Sequence, residues 1–317
     1  MNKFKKIGLT ALAASLVSVS ANAGEISVAG GASLNAEGFS GELLHAGTGF
    51  SMGNQLTFTG SGELDNGLNV AVSFVLDQGD PSPSPFDSHS LKISSDALGT
   101  LTFNGEGGTT AANMIDGSAA GDIWDKFDGL TNADGQAITS TAGDNSFYYS
   151  SPELMDGLTV QASYQPQGSN RVSGTGYGFQ YTGVEGLTLK YAVSDIVGST
   201  ATASGDETVM YASYAIGSFT AKYSDMESDI GTANGDYEQS SFALSYTISD
   251  ELSVTYGQET STLEGVTVDA EYSSLSASYT AGGMTLTAGM HEADNASYTT
   301  ASNEDFEKWT LGASFAF

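Results

Sequence analysis

The chain has 317 residues and a formal charge of −29, from nine Lys and Arg against 38 Asp and Glu, with 40 glycines, five prolines and no cysteine. Without cysteine there is no thiol chemistry, disulfide framework or cysteine-ligated metal, and the acidic excess argues against a nucleic-acid partner, which needs a basic footprint. The 15 Tyr and 15 Phe, regularly placed, exclude a disordered acidic tail.

Lys3, Lys5 and Lys6 precede an apolar run from Ile7 to Val19, and Ala21-Asn22-Ala23 follows. That run is too short to span a bilayer as a helix. Residues 1–23 have the order of a secretory signal peptide with cleavage after Ala23. Removing them, with their three lysines, takes the charge from −29 to −32. No later stretch is long and apolar enough for a membrane helix. The exported portion, 24–317, therefore either stays soluble or crosses a membrane as strands.

The rest of the chain alternates with period two, the strand signature. Leu68, Val70, Val72, Phe74 and Leu76 alternate with mostly small or polar residues, and Leu187, Leu189, Tyr191 and Val193 with Thr188, Lys190, Ala192 and Ser194. At the end, Trp309, Leu311, Ala313, Phe315 and Phe317 alternate with Lys308, Thr310, Gly312, Ser314 and Ala316. Tight turns rich in Gly, Asn and Asp fall near 65–67, 96–99, 154–157, 183–186, 216–217, 249–251 and 281–283, where positive φ is needed. Longer polar connections lie around 40–52, 78–87, 107–144, 167–173, 196–206, 226–235, 261–269 and 293–304. Seven tight turns and eight long loops imply sixteen strands. The repeat of roughly 18 residues fits tilted strands of about 9–11 residues across a bilayer.

A sheet of this size must solve its edges, and in lipid closure is compulsory. An even strand count, alternating short and long connections, and one apolar and one polar face together predict an all-β fold. The expected form is a 16-stranded antiparallel transmembrane β-barrel of the outer-membrane kind, with short periplasmic turns and long external loops. Tyr148, Tyr149, Tyr164, Tyr181, Tyr246 and Tyr279 suit interfacial aromatic girdles. Parity places Glu63, Asp77, Lys92, Glu106, Lys190, Lys222 and Lys308 on the polar, lumen-facing wall.

Several segments carry a family resemblance: Gly24–Gly30 at the exported start, Leu56–Glu63 running into Asp65–Leu68, Leu98–Gly105, Asn145–Pro152, and the terminal Phe317. Together with the leader and the loop order, they make the chain resemble the Gram-negative general diffusion porins, particularly the purple-bacterial type. The resemblance implies a homotrimer of barrels in the cell outer membrane, each with a water-filled channel narrowed by an inward-folded third long loop. It also implies that Phe317 is an assembly signal read by the barrel-assembly machinery. Ala29, Gly30, Gly31 and Ala32 suit either close packing against a neighbouring barrel or a local bend.

The third loop, 107–144, contains Asp116, Asp122, Asp125, Asp128 and Asp134 against Lys126, with Trp124 and Phe127 between. It reads either as a solvated acidic surface loop or, as the resemblance implies, as a pore constriction. In the constriction reading, Trp124, Phe127, Met114 and Ile115 anchor the loop and carboxylates face the lumen. The chain departs from the family in its basic wall, since its one arginine, Arg171, falls in a loop. The expected function is passive diffusion of small hydrophilic solutes and ions with mild cation preference, because carboxylates lower the energy of a permeating cation. A substrate-selective channel for a sugar, amino acid or organic anion is the alternative, and a secreted β-rich adhesin a third. His45, His89 and His291 have no partner pattern of a catalytic or zinc site, so neither an enzyme nor a cofactor is expected. Asp128–Gly135 fails calcium-loop spacing at Leu130, although divalent cations could bridge acidic loops.

Overall fold

The computed structural model describes residues 26–40, 47–77, 87–115, 117–127, 144–168, 172–196, 205–230, 236–300 and 305–317. The alternating Thr, Val, Tyr and Phe favour pleated backbone. The first strands are β1 (Ile26–Ser40), β2 (Gly47–Glu63), β3 (Asn69–Asp77), β4 (Ser88–Ser95), β5 (Gly99–Glu106) and β6 (Ser146–Ser150). The middle of the chain gives β7 (Leu158–Gln165), β8 (Gly174–Tyr181), β9 (Leu187–Ile196), β10 (Gly205–Ile216) and β11 (Phe219–Ile230). The last are β12 (Tyr237–Thr247), β13 (Leu252–Leu263), β14 (Ala270–Ala281), β15 (Met284–Asp294) and β16 (Phe306–Ala316). Each pairs antiparallel with the next, and β1 pairs with β16 to close the barrel. The seam is extended by the last residue. Phe317 donates its N–H to the Gly30 carbonyl at 2.9 Å, and its own carbonyl accepts from the Gly30 N–H at 2.7 Å.

Residues directly opposite in register share a face, so rows can be followed around the wall. One row reads Leu286, Ala313, Leu34, Met52 across β15, β16, β1 and β2, and another Phe219, Tyr246, Val254, Ala277 across β11 to β14. Both are apolar and face outward. The alternate rows are small and polar, as in Ser213, Lys222, Ala243, Gly257, Ser274 across β10 to β14. On β10–β16 the outward apolar band covers about seven residues per strand, roughly 20 Å at the usual tilt, which suits a thin outer-membrane hydrocarbon layer.

Beyond that band β11–β16 continue outward with carboxylates, and pairing places like charges opposite one another at Glu227↔Glu238, Glu271↔Asp294 and Glu292↔Glu307. Residues 226–230, 261–263 and 293–294, which include Glu227 and Asp294, fall in stretches expected to be loops because apolar alternation stops there; the backbone ladder does not. For the same reason β2 begins at Gly47 rather than after 52: its glycine-rich start pairs fully with β1.

Two further expectations are corrected. Tyr148 cannot share the girdle with Tyr149, since adjacent strand residues face opposite ways. It stands opposite Thr102 and Ser163 on the inner face and is buried, whereas Tyr149 lies opposite Leu101 and Ala162, its hydroxyl donating to the Leu98 carbonyl at 2.8 Å. Gly30, proposed as a packing surface, is covered from within the chain, since a Cβ there would lie 2.6 Å from the Phe317 ring.

The apolar core is not between sheets. It lies between the wall and the segment that follows β5. One cluster joins Ala111, Ala112 and Ile115 to Ala192, Val209, Met226 and Tyr237. The other joins Ile123 and Phe127 to Tyr272, Ala293, Tyr298 and Phe306.

Candidate functional site: the inward loop and the lumen wall

The segment from Gly107 to Phe127 reaches β7, β9, β11, β12, β13 and β16 within a few residues of chain, a path available only across the inside of the barrel. Small loop residues let the backbone lie against the wall, and inward hydroxyls receive it. Ser163 and Ser194 accept from the Ala111 and Ala112 N–H groups, each at 3.0 Å. Ser224 accepts from the Ala119 N–H at 2.7 Å and donates to the Gly117 carbonyl at 2.7 Å. Ser241 accepts from the Ala120 N–H at 2.8 Å. Between Ser163 and Ser194 stands Gly176, where a Cβ would overlap both hydroxyls, and at Gly257 a Cβ would lie 2.8 Å from that of Ala120. Wall glycines thus make room for loop alanines.

Glu259 on β13 is buried and clamps the second half of the loop. Its carboxylate accepts from the Ser118 hydroxyl and, at 3.1 Å, from the Trp124 N–H. Ser118 in turn accepts from the Asp122 N–H at 2.8 Å. Trp124–Phe127 form one short helical turn. Phe127 then packs against Tyr272 and Phe306, with ring centroids 6.1 and 6.5 Å away.

The candidate residues fall into distinct positions. Asp122 and Asp125 are exposed on the loop, Trp124 and Lys126 are half-buried, and Phe127 is buried. Ile115 is buried as an anchor would be, but Met114 is 47% exposed and anchors nothing. Asp116, Asp128 and Asp134 lie outside the described residues, as do Arg171 and His45. On the wall, register places Glu63, Asp77, Lys92, Lys190, Lys222 and Lys308 on the inner face. Lys308 is not a free cation: its Nζ is 2.8 Å from Glu37, donates to the Lys126 carbonyl at 2.7 Å and sits 4.8 Å from the Phe39 ring centroid.

Glu106 departs from simple parity. The β4–β5 register shifts between His89 and Ser90, placing Glu106 opposite His89. Its carboxylate lies 3.6 Å from His89 Nδ1, and that imidazole stacks on Phe74. An extra residue at Gly105 produces the shift, as β-bulges do. Sequence reasoning missed Glu259, Glu37 and the four serines. Only the loop's length and small residues hinted that some wall groups must receive it.

A closed sixteen-stranded antiparallel barrel, greasy outside and hydroxyl-lined within, with a loop pinned across its lumen, is an outer-membrane diffusion channel. The Gram-negative porin family model matches residues 8–317, so the chain belongs to that family. Among curated proteins no sequence matches it. Similar solved structures include an anion-selective porin from Comamonas acidovorans (14% identity, TM-score 0.69, covering 92% of this chain and 99% of that one). OmpT of Vibrio cholerae in its trimer form is similar at 16% identity and TM-score 0.68, covering 93% and 100%. Salmonella typhi OmpF, in complex with daunomycin, is similar at 14% identity and TM-score 0.68, covering 93% and 98%. At these identities the likeness is one of fold.

Proposed function

We propose that this outer-membrane channel passes small hydrophilic solutes and ions through a constriction formed by the inward loop, with a modest preference for cations. The observation that carries the preference is the imbalance at the loop. Asp122 and Asp125 are exposed there against one half-buried lysine, Lys126, while the nearest wall lysine, Lys308, is neutralised by Glu37. Exposed carboxylates lower the energy of a passing cation and raise that of an anion. Screening over about 10 Å at 0.1 M salt keeps the bias small. Reversal potentials in a planar bilayer under a KCl gradient test this. A potassium-preferring sign that shrinks in D122N/D125N supports the reading, and a chloride-preferring sign refutes it.

The rest of the proposal follows from family membership and the sequence. Residues 1–23 serve as a signal peptide, Phe317 is recognised by the barrel-assembly machinery, and three copies assemble in the membrane. No reaction is assigned to the chain. Divalent cations are proposed as bridges between acidic outer segments rather than as a built site, since no cluster among the described residues is arranged to hold one.

A further inference from the structure

The described strands carry four lysines, and three of them share a level. Lys190 and Lys222 are each the fourth residue of their strands counted from the short-turn, periplasmic rim, and Lys92 is the fourth from that rim on β4. All three face the lumen. Their register partners carry no carboxylate: Gln180 and Tyr211 flank Lys190, Ser213 and Ala243 flank Lys222, and Ala71 and Thr102 flank Lys92. Lys190 stands 5.3 Å from the Tyr211 ring centroid. The fourth strand lysine, Lys308, is by contrast paired with Glu37.

The level of these lysines relative to the loop matters. On β9 the next inward residues above Lys190 are Ala192, fully buried, and Ser194, which accepts from the loop. On β11 the next above Lys222 is Ser224, which also holds the loop. Lys190 and Lys222 therefore emerge directly beneath the shelf on its periplasmic side, and Lys92 faces them from the far wall. The exposed Asp122 and Asp125 sit on the shelf itself, and the outer reaches of β11–β16 carry further carboxylates.

We infer that Lys190, Lys222 and Lys92 form a cationic ring on the periplasmic side of the constriction, which makes the pore electrically bipolar and its current rectifying. A cation entering from outside is attracted by carboxylates first and repelled by the lysine ring second, and an anion is repelled first and attracted second. Beyond the ring, Glu63 and short-turn carboxylates such as Asp65, Asp96 and Glu251 lie at the periplasmic rim, in wider and more fully screened space. Opposite fixed charges in series concentrate both ions in the lumen at one polarity and deplete both at the other. Three charges about 10 Å from a central ion, screened at 0.1 M salt, change its local occupancy about twofold.

The inference rests on the channel reading, and one experiment separates the two. Single-channel currents of the purified full protein are recorded at equal and opposite voltages in symmetric KCl at 0.1 M and 1 M. The expected result is an asymmetry of about 1.5–2-fold at 0.1 M that vanishes at 1 M, where the screening length falls to about 3 Å. In K190Q/K222Q the asymmetry at low salt should fall to half or less, and in K190R/K222R it should persist. A linear wild-type response at 0.1 M overturns the ring, as does undiminished asymmetry in the Gln variant. If the double variant does not fold, as judged by heat-modifiable migration, K190Q and K222Q are recorded singly, and undiminished asymmetry in both overturns the ring. Absence of any conductance step would instead defeat the channel reading itself.

Discussion

Replacing Glu259 by Ala should free one half of the inward loop while leaving the barrel intact. The carboxylate accepts from the Ser118 hydroxyl and the Trp124 N–H. Hydrogen bonds to a charged group contribute about 1.5–3 kcal/mol each, so the variant loses about 3–6 kcal/mol of docking. The wall serines make five neutral bonds to the loop, which at about 0.5–1.5 kcal/mol each contribute about the same in total. Two of these hold only Ala111 and Ala112, so residues 117–127 lose about half of their hydrogen-bonded hold and keep three serine bonds, the Lys308 bond to the Lys126 carbonyl and the packing of Ile123 and Phe127. The sequence has two tryptophans, and Trp309 faces outward beside Leu311 and Met290. In a W309F background, acrylamide quenching therefore reports Trp124 alone. Quenching should rise severalfold in E259A, and single-channel recordings should become noisy with new substates. Quenching and noise equal to the parent would show that apolar packing of Ile123 and Phe127 holds the loop without the clamp.

Other substitutions test other parts of the account. Gly99 has φ of +77°, and a Cβ there would overlap the Ser150 carbonyl. G99A should destabilise the barrel by more than the ~1 kcal/mol of a simple glycine effect and so lower the temperature at which the folded band converts on a detergent gel; an unchanged temperature would mean that the turn yields freely. F317A removes the ring that covers Gly30 and should reduce the folded fraction in vitro, where no assembly machinery acts; equal folding would leave only a recognition role for Phe317. E292Q removes the like-charge opposition to Glu307 and should stabilise the barrel by about 0.2–1 kcal/mol in chelator, with less gain when divalent cations are present. Equal gains in both conditions would argue against cation bridging.

Much of the architecture was legible because lipid and water impose opposite demands on alternate residues. The rows through Phe219 and Tyr246 or Leu34 and Met52 are visible as period-two patterns, and the long 107–144 connection marks the inward loop. The strand ends were not legible. Once the outer face meets headgroups rather than hydrocarbon, carboxylates such as Glu227 and Asp294 replace apolar residues, and the pattern that identifies a strand disappears although pairing continues. The loop's receivers were hidden for a different reason. Serine recurs on many inner rows, and only the relative stagger of the strands selects Ser163, Ser194, Ser224 and Ser241. One charge assignment failed where three dimensions intervene, since a bulge re-aims Glu106; Lys308 stands on the inner face as assigned, but its neutralisation by Glu37, distant in sequence, was not legible.

The central claim is that the apolar rows face lipid while the hydroxyl rows enclose water. Conductance of the purified protein in a planar bilayer tests it most directly. The account predicts discrete steps of uniform size whose conductance scales nearly in proportion to KCl concentration in the molar range. A bilayer that remains silent, although the protein migrates as a folded barrel, would contradict it.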